Sequence, residues 1–372
     1  MIPISEIVNG EVTISRSIGT RHGKGIVVLN ISQKCALRCV YCYSSSTITG
    51  LEMSLENVSK VIKEISKINP RLVILSGGEP LLYPTIEYVF QMLNDNNIKF
   101  VISSSGMFIS DRHVDMLKKY DVDYIGISLD IPSRYDSKIR VGSNFDKIVE
   151  SIRMLVNNKI NVGIRMTLTW TSMYTIEDMF KLCSKYGIHR LCIYHLAPSG
   201  RGVDTYSKLK PSREIETLFL NYLMKLVKYY KNIDVLTVTE PSDFLTIALL
   251  SSNSKREFED TIGRFYRRCR CSAGRSIISI YPDCTVYPCQ FNNSKSLGNL
   301  IYESIEDILS KRYEHSYCTR CRLYEYCRGC SIRVVERFDK DCTLYGLYTL
   351  AVSARLNIDD WKIKLLEEIF ST

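Results

Sequence analysis

No apolar run in this sequence approaches the roughly 20 residues a helix needs to cross a bilayer, so no membrane span is expected. The opening residues, MIPISEIVNGEVTISRS, lack the basic start, apolar centre and small-residue cleavage site of a secretory signal, and the chain reads as cytoplasmic. Dense blocks of one charge sign are missing as well. The formal charge is +9, but Lys and Arg are spread along the chain, which suits a solvated basic surface rather than a nucleic-acid site. No internal repeat or low-complexity tract stands out.

What is present is a chain of 372 residues, long enough for one large domain and an appended smaller one. Its 45% hydrophobic and 24% charged residues are ordinary for a globular protein. The 14 cysteines are not ordinary. Without an export signal they point to metal sites rather than disulfides, because reducing compartments keep thiols free. Three stand at Cys35, Cys39 and Cys42, two stand alone at Cys183 and Cys192, and the rest crowd between Cys269 and Cys342.

From Gly25 to about Ser199 short β-rich runs alternate with helical patterns, the mark of βα units around parallel strands. The strand candidates are GIVVLNIS, LVILS, KFVISSSG, YIGISLD, INVGIRMTLT and HRLCIYHL. Between the first two, SLENVSKVIKEISKI places Leu55, Val58, Ile62 and Ile65 on one helix face, with Ser54 able to cap its start. Six units rather than eight predict an incomplete (β/α)6 barrel, open along one side, with functional groups at the C-terminal ends of its strands. We divide the chain into an N-terminal extension (1–24), the barrel (25–211), a helical linker (212–264), a cysteine-rich α+β domain (265–345) and a C-terminal helix (346–372). The cysteine-rich part reads as a small hairpin in which metal bonds replace much of a core.

Cys35, Cys39 and Cys42 form C-x3-C-x2-C directly after the first strand, so three thiolates can converge at its C-terminal end. A four-iron cluster normally takes four cysteine ligands, and three leave one iron open to another ligand. A tetrahedral zinc site would want a fourth Cys or His nearby, and KCALRCVYCYSSS offers none.

This motif, with the aromatic Tyr41 before its last cysteine, resembles the signature of the radical S-adenosylmethionine (radical SAM) superfamily. Ser76-Gly77-Gly78-Glu79-Pro80, at the end of the second strand, resembles that family's GGEP segment. There backbone and carboxylate receive the cofactor's ammonium group. Glycine lets the backbone approach the ligand, and a carboxylate suits a cation. An isolated GGEP would also read as a plain turn. The resemblance further implies cofactor contacts at Ser104 among Ser103–Ser105, at Ser128 and Asp130, and at Arg165 toward the cofactor carboxylate. Strand-end serines also satisfy backbone groups, and Arg165 also suits a structural ion pair. The implied chemistry is reductive cleavage of S-adenosylmethionine to a 5′-deoxyadenosyl radical that takes hydrogen from a substrate held over the barrel, with no side chain required as acid or base.

The C-terminal cysteines resemble a SPASM domain, whose pattern is C-x9-15-G-x4-C, then C-x2-C-x5-C-x3-C and a final C. Carried over by position, Cys318, Cys321, Cys327 and Cys342 would ligate one auxiliary 4Fe-4S cluster, and Cys271, Cys289 and Cys330 a second. Cys284, Cys269 or an open iron remain for the last position. Cys284 occupies the glycine position of the pattern, and Cys327 and Cys330 are separated by two residues rather than three. A zinc ribbon is the alternative for Cys318, Cys321, Cys327 and Cys330. Cys183 and Cys192 lie in apolar patterns and read as buried and inert.

Tyr194-His195-Leu196-Ala197-Pro198-Ser199-Gly200-Arg201-Gly202 resembles a segment of the branch that modifies tetrapyrroles in heme d1 and archaeal heme synthesis. SLGNL at Ser296–Leu300 and CRGCSIRVVERF at Cys327–Phe338 resemble that branch too. His195 reads either as a packed strand residue or as an iron or substrate contact. The expected substrate is a siroheme-derived tetrapyrrole, whose carboxylates suit a basic chain. The alternatives are modification of a ribosomal peptide, which often needs a leader-binding domain where only about two dozen residues precede the first strand here, and a non-catalytic electron carrier. A low-potential donor such as ferredoxin or flavodoxin is the expected redox partner, and neither nucleic acid nor membrane is.

Overall fold

The computed structural model describes residues 1–10, 25–311, 313, 318, 321–333 and 342–370. Its strands among these residues, in chain order, are β1 (Ile2–Pro3), β2 (Ile26–Ser32), β3 (Arg38–Cys39), β4 (Leu72–Gly77), β5 (Phe100–Ser104), β6 (Ile125–Ser128), β7 (Arg140–Val141), β8 (Val162–Leu168), β9 (Arg190–His195), β10 (Asp234–Val238), β11 (Ile277–Ile280), β12 (Thr285–Tyr287) and β13 (Gly298–Asn299). The six segments read from the sequence become β2, β4, β5, β6, β8 and β9, which lie side by side in that order and pair in parallel. Strands covered on both faces read as near-continuous apolar runs, and β2 is one: Val27, Val28, Leu29 and Ile31 are all essentially inaccessible.

Helices cross between these strands: α2 (Leu55–Lys67), α3 (Ile86–Asp95), α4 (Asp111–Lys119), α5 (Phe145–Asn157) and α6 (Ile176–Lys185), while α1 (Ile4–Asn9) precedes β2. In α2 the Ser54 hydroxyl accepts from Asn57 N, as the sequence suggests. Its buried face is Val58, Val61, Ile62 and Ile65, whereas Leu55 is 46% exposed. Leu55 belongs to the first turn, and Val61 takes the inward position. Cys183 and Cys192 are buried in this core, and burial alone pushes the Cys183 thiol up to about 12, so both are packing residues.

The parallel sheet does not stop at six strands. β10 adds to β9 in parallel, and β1 closes that edge antiparallel to β10. Residues 212–264 are therefore not purely helical: α8 (Arg213–Tyr229), α9 (Ser242–Ser251) and α10 (Lys255–Cys269) surround a strand. DVLTV is β-branched but only five residues long, and the exposed edge of β9 decides its conformation. Ile2–Asn9, expected as an extension, joins the core through β1 and α1. Ile2 and Ile4 are buried, and Ser5 Oγ accepts from Val235 N at 2.8 Å.

At the other edge β11 pairs in parallel with β2 and turns back through β12 and β13. The cysteine-rich region thus begins as a continuation of the barrel sheet. The expected last helix is two, Thr343–Val352 and Asp360–Phe370, separated at Ala354, whose φ is +55°. Among the described residues no helix is long and apolar enough to cross a membrane.

Candidate cofactor chamber and cysteine groups

The loop after β2 carries Cys35, Cys39 and Cys42 and is braced on several sides. Cys35 N donates to Thr47 O at 2.9 Å, Val40 N to Ile139 O at 3.0 Å, and Cys39 pairs with Arg140 in the short β3–β7 ladder. The three thiols converge closely enough that each thiolate would feel the others. Burial pushes Cys35 up to about 11 and Cys39 up to about 12, so both are neutral until a metal displaces their protons.

The loop after β4 packs against this cysteine loop. Gly77 has φ +126°, and a Cβ there would lie 2.1 Å from Ser32 O; at Gly78 it would lie 2.0 Å from Lys34 O. Gly78 N and Glu79 N donate to those two carbonyls at 2.6 and 2.9 Å. Only residues without a side chain let the two loops meet.

Around this junction opens a chamber with a solvent-open mouth. Its walls include Cys35, Cys39, Tyr41, Cys42, Gly77, Gly78, Ser103, Ser104, Ser105, Ser128, Asp130 and Arg165. Most of the residues singled out in the barrel sequence are therefore brought to one place. Glu79 and Pro80 are not on the wall. Glu79 is fully buried, and its carboxylate accepts from Ser105 N at 2.7 Å, from the Ser105 hydroxyl, and from Leu81 N at 3.3 Å as it caps the turn that Pro80 begins. Its role in this structure is to tie the β4 loop to the β5 loop.

Asp130 accepts from Thr167 N at 2.7 Å and from the Tyr41 hydroxyl. Burial, with Asp136 beside it, pushes its carboxyl up to about 7, and Arg140 offsets part of that. Arg165 presents a buried Nε with no partner among the described residues. A dry guanidinium N–H in this chamber calls for an anionic acceptor, and a carboxylate supplies it.

Several wall residues were not singled out from the sequence. The pair Asp136–Arg140, at 2.9 Å and almost wholly buried, braces Cys39 and the Ser105 carbonyl. The i,i+4 spacing of that pair was a visible signal. Gln290 and Phe291 reach the chamber from the residues after Cys289, with the Phe291 ring 5.3 Å from that of Tyr43 and 6.3 Å from that of Tyr194. No local pattern announces that approach.

His195 is a packed residue. Its Nδ1 lies 3.0 Å from Glu216 and its Nε2 2.7 Å from Asp243, so both ring nitrogens are taken. Burial opposes its charge, but the two carboxylates outweigh that and hold it up at about 9.

In the C-terminal region Cys327 lies within electrostatic reach of Cys318 and Cys342, and Cys342 of Cys318 and Cys321, so these four form one group. Cys271 lies near both Cys289 and Cys330, a second group. The groups adjoin where Cys271 N donates to Cys327 O at 3.0 Å. Cys284 joins neither. It is fully buried in the apolar core at the β11–β12 turn, with φ +65° and with Asp283 and Lys60 as its charged neighbours. A glycine, which the SPASM pattern has at this position, would suit that φ. Cys269, also considered, is buried beside Arg268 and Glu6. Among the described residues no three of His, Cys, Asp or Glu stand at the spacing of a single-ion site. Of CRGCSIRVVERF, residues 334–338 lie outside the described residues.

Two family models match the chain. Residues 29–183 match the Radical SAM superfamily model, and residues 269–331 match SPASM, an iron-sulfur cluster-binding domain. The chain carries a radical SAM domain followed by a SPASM domain. It is an enzyme whose cofactors are iron–sulfur clusters and S-adenosylmethionine, which sets aside the electron-carrier alternative. Among similar curated proteins, Fe-coproporphyrin III synthase of Methanosarcina barkeri is 27% identical over 82% of each chain. AdoMet-dependent heme synthase of Nitratidesulfovibrio vulgaris is 22% identical over 83% of this enzyme and 87% of the relative. Mycofactocin maturase MftC of Mycobacterium tuberculosis is 26% identical over 80% and 76%. Among solved structures, Streptococcus suis SuiB bound to precursor peptide SuiA superposes with a TM-score of 0.66 at 18% identity, over 85% of this enzyme and 75% of that chain. AdoMet-bound anSMEcpe superposes with 0.65 at 16%, over 92% and 100%. These two share the fold.

Proposed function

We propose that this radical SAM enzyme modifies a siroheme-derived tetrapyrrole. Cys35, Cys39 and Cys42 would hold the 4Fe-4S cluster that receives S-adenosylmethionine, with the unpartnered Arg165 Nε taking the cofactor carboxylate, the Gly77–Gly78 backbone its ammonium end, and Ser104, Ser128, Asp130 and Tyr41 lining the rest. When bound, this pair supplies reductive carbon–sulfur cleavage and hydrogen-atom abstraction from the substrate. The protein's own part is to orient the cofactor and keep water out, which the buried Asp130–Tyr41 and Asp136–Arg140 pairs support. In the SPASM region Cys318, Cys321, Cys327 and Cys342 would hold one auxiliary cluster. Cys271, Cys289 and Cys330 would hold another with one open position, since Cys284 and Cys269 lie elsewhere. A barrel (25–211) and a cluster domain (265–345) remain our working division, with a low-potential donor such as ferredoxin or flavodoxin feeding the clusters.

The observation that carries the substrate is the match to Fe-coproporphyrin III synthase across most of both chains, together with a chamber whose Tyr43, Tyr194 and Phe291 rings offer flat apolar surface. The similarity to mycofactocin maturase keeps a peptide as the second reading. The test is anaerobic incubation of reconstituted enzyme with dithionite, S-adenosylmethionine and didecarboxysiroheme. We expect 5′-deoxyadenosine and a tetrapyrrole of altered mass. Deoxyadenosine with unchanged tetrapyrrole would defeat the substrate assignment and leave the cofactor assignment standing.

A further inference from the structure

The Ser199-Gly200-Arg201 segment, which reads in sequence as a mark of the substrate, faces the cysteine loop instead. It follows β9 and leads into α7 (Gly202–Leu209). Arg201 touches the loop at three carbonyls: its backbone N–H donates to Cys42 O at 3.0 Å, its Nε to Cys39 O at 2.9 Å, and its Nη1 to Ser46 O at 2.8 Å. The Ser199 hydroxyl donates to Tyr43 O at 3.2 Å and the Thr205 hydroxyl to Val40 O at 3.2 Å. Gly200, at φ +55°, is what permits this approach, because a Cβ there would lie 2.4 Å from Cys42 O and 2.5 Å from Tyr43 O. Five carbonyls of the loop that carries the three cysteines are thus held from one short segment.

One donor is left over. Arg201 Nη2 is buried with no hydrogen-bond partner, and Arg201 lines the chamber. An unmet guanidinium N–H away from water is costly unless something arrives to accept it. The guanidinium plane is already fixed by its contacts to Cys39 O and Ser46 O, so the free edge cannot turn away to find water. The chamber that Arg201 lines is also lined by Cys35, Cys39 and Cys42, and the fold implies there an acceptor the protein does not itself contain, the sulfur of the cluster on those cysteines.

We propose that Arg201 is a positioning residue for that cluster: it clamps the cysteine loop through three carbonyls and donates its remaining N–H to a cluster sulfur. This rests on the reading of Cys35, Cys39 and Cys42 as ligands, and it moves the segment from substrate choice to cluster placement. Donors to cluster sulfurs favour the reduced, more negative state and raise the reduction potential. Loss of a residue that orients metal ligands weakens retention by about 10- to 100-fold.

The test compares Arg201→Gln and Arg201→Lys with parent and Cys39→Ala after anaerobic reconstitution, in a background where Cys318, Cys321 and Cys330 are replaced by alanine so that the first cluster is read alone. Iron and sulfide are counted before and after a chelator challenge, and an EPR-monitored redox titration gives the midpoint potential. We expect Arg201→Gln to lose iron to the chelator about 10- to 100-fold more readily, with the remaining cluster at a lower potential. Arg201→Lys should recover part of the retention through one carbonyl contact but not the potential. Parental retention in Arg201→Gln would overturn the clamp. A parental potential, or a loss confined to S-adenosylmethionine affinity, would overturn the sulfur contact. Retained iron in Cys39→Ala would instead defeat the ligand assignment beneath both.

Discussion

Replacing Glu216 by Gln should destabilise the folded enzyme by about 3 to 5 kcal/mol at neutral pH, the usual result of taking one partner from a buried ion cluster. Glu216 is 1% exposed and holds two cations at once: His195 at 3.0 Å and Arg333 Nη2 at 2.8 Å. Arg333 Nη1 also lies 2.8 Å from Glu240, an ion contact by distance whose angle does not make a hydrogen bond. Glutamine keeps the shape but leaves Arg333 and His195 short of a counter-charge in a site without water. The pH dependence gives a second signature. The folded-state pKa of His195 is raised from 6.5 to about 9, so its contribution is complete below about pH 6.5 and is lost as pH rises through about 9. A shift of that size corresponds to about 3 kcal/mol. Glu216 itself is held down at about 2 by Arg333 and His195 against the opposing effect of burial, so its contribution is lost only as pH falls through about 2, outside that window. Anaerobic urea unfolding followed by tryptophan fluorescence, at about pH 6 and about pH 9.5, measures both. The parent should weaken markedly at the higher pH and the variant should weaken less. A loss under about 1 kcal/mol in Glu216→Gln, with the parent's pH dependence intact, would refute the reasoning, since that is the size of an exposed pair.

Cys39→Ala should abolish reductive cleavage of S-adenosylmethionine, read as 5′-deoxyadenosine, because two thiolates do not anchor the cluster; Cys327→Ala should spare that cleavage while impairing turnover of the true substrate. Cys284→Gly should leave iron and sulfide content unchanged, because the residue lies in the core and not in a cysteine group, and any stability change should stay within about 1 to 2 kcal/mol, the relief of a left-handed backbone set against lost packing. Arg165→Leu should weaken S-adenosylmethionine binding by about 10- to 100-fold in equilibrium dialysis while cluster iron stays parental, the loss matching one hydrogen bond to a charged group.

The barrel strands were legible because each is a short apolar run closed by small or polar residues, and that signal is local. Val162–Leu168 and Arg190–His195 need no distant information to be recognised. Asp234–Val238 was not legible: five residues between two helices become a strand only because β9 offers an unpaired edge. The cysteine groups were readable from spacing, since ligand geometry restricts how far apart in sequence neighbouring thiols stand. Cys284 shows the limit of that rule, as spacing alone does not reveal that its position takes a positive φ in the core, away from both cysteine groups. The partners of His195 and Arg201 were not legible, for a shared reason. Both residues sit in a segment that looks like a family mark, yet their partners Glu216, Asp243, Cys39 and Ser46 stand 21, 48, 162 and 155 residues away in sequence, beyond any local window.

The division into barrel and cluster domain has a physical consequence that domain boundaries in sequence obscure. β11 belongs to the second region yet supplies the parallel neighbour of β2, the strand that leads into the cysteine loop. Arg333 from the same region is the buried counter-ion of Glu216, and Thr343 bonds to Ser242 and, through its carbonyl, to Thr217. Cutting the chain at residue 264 would therefore strip β2 of one edge and remove Arg333, leaving buried Glu240 without its cation and Glu216 with His195 alone, a charge defect of several kcal/mol before any cluster is considered. The isolated barrel, residues 1–264, should on this reasoning fail to hold iron on Cys35, Cys39 and Cys42 and should expose apolar surface to a hydrophobic dye. A barrel fragment that folds cooperatively and reconstitutes a stable cluster would show that the two regions are independent after all.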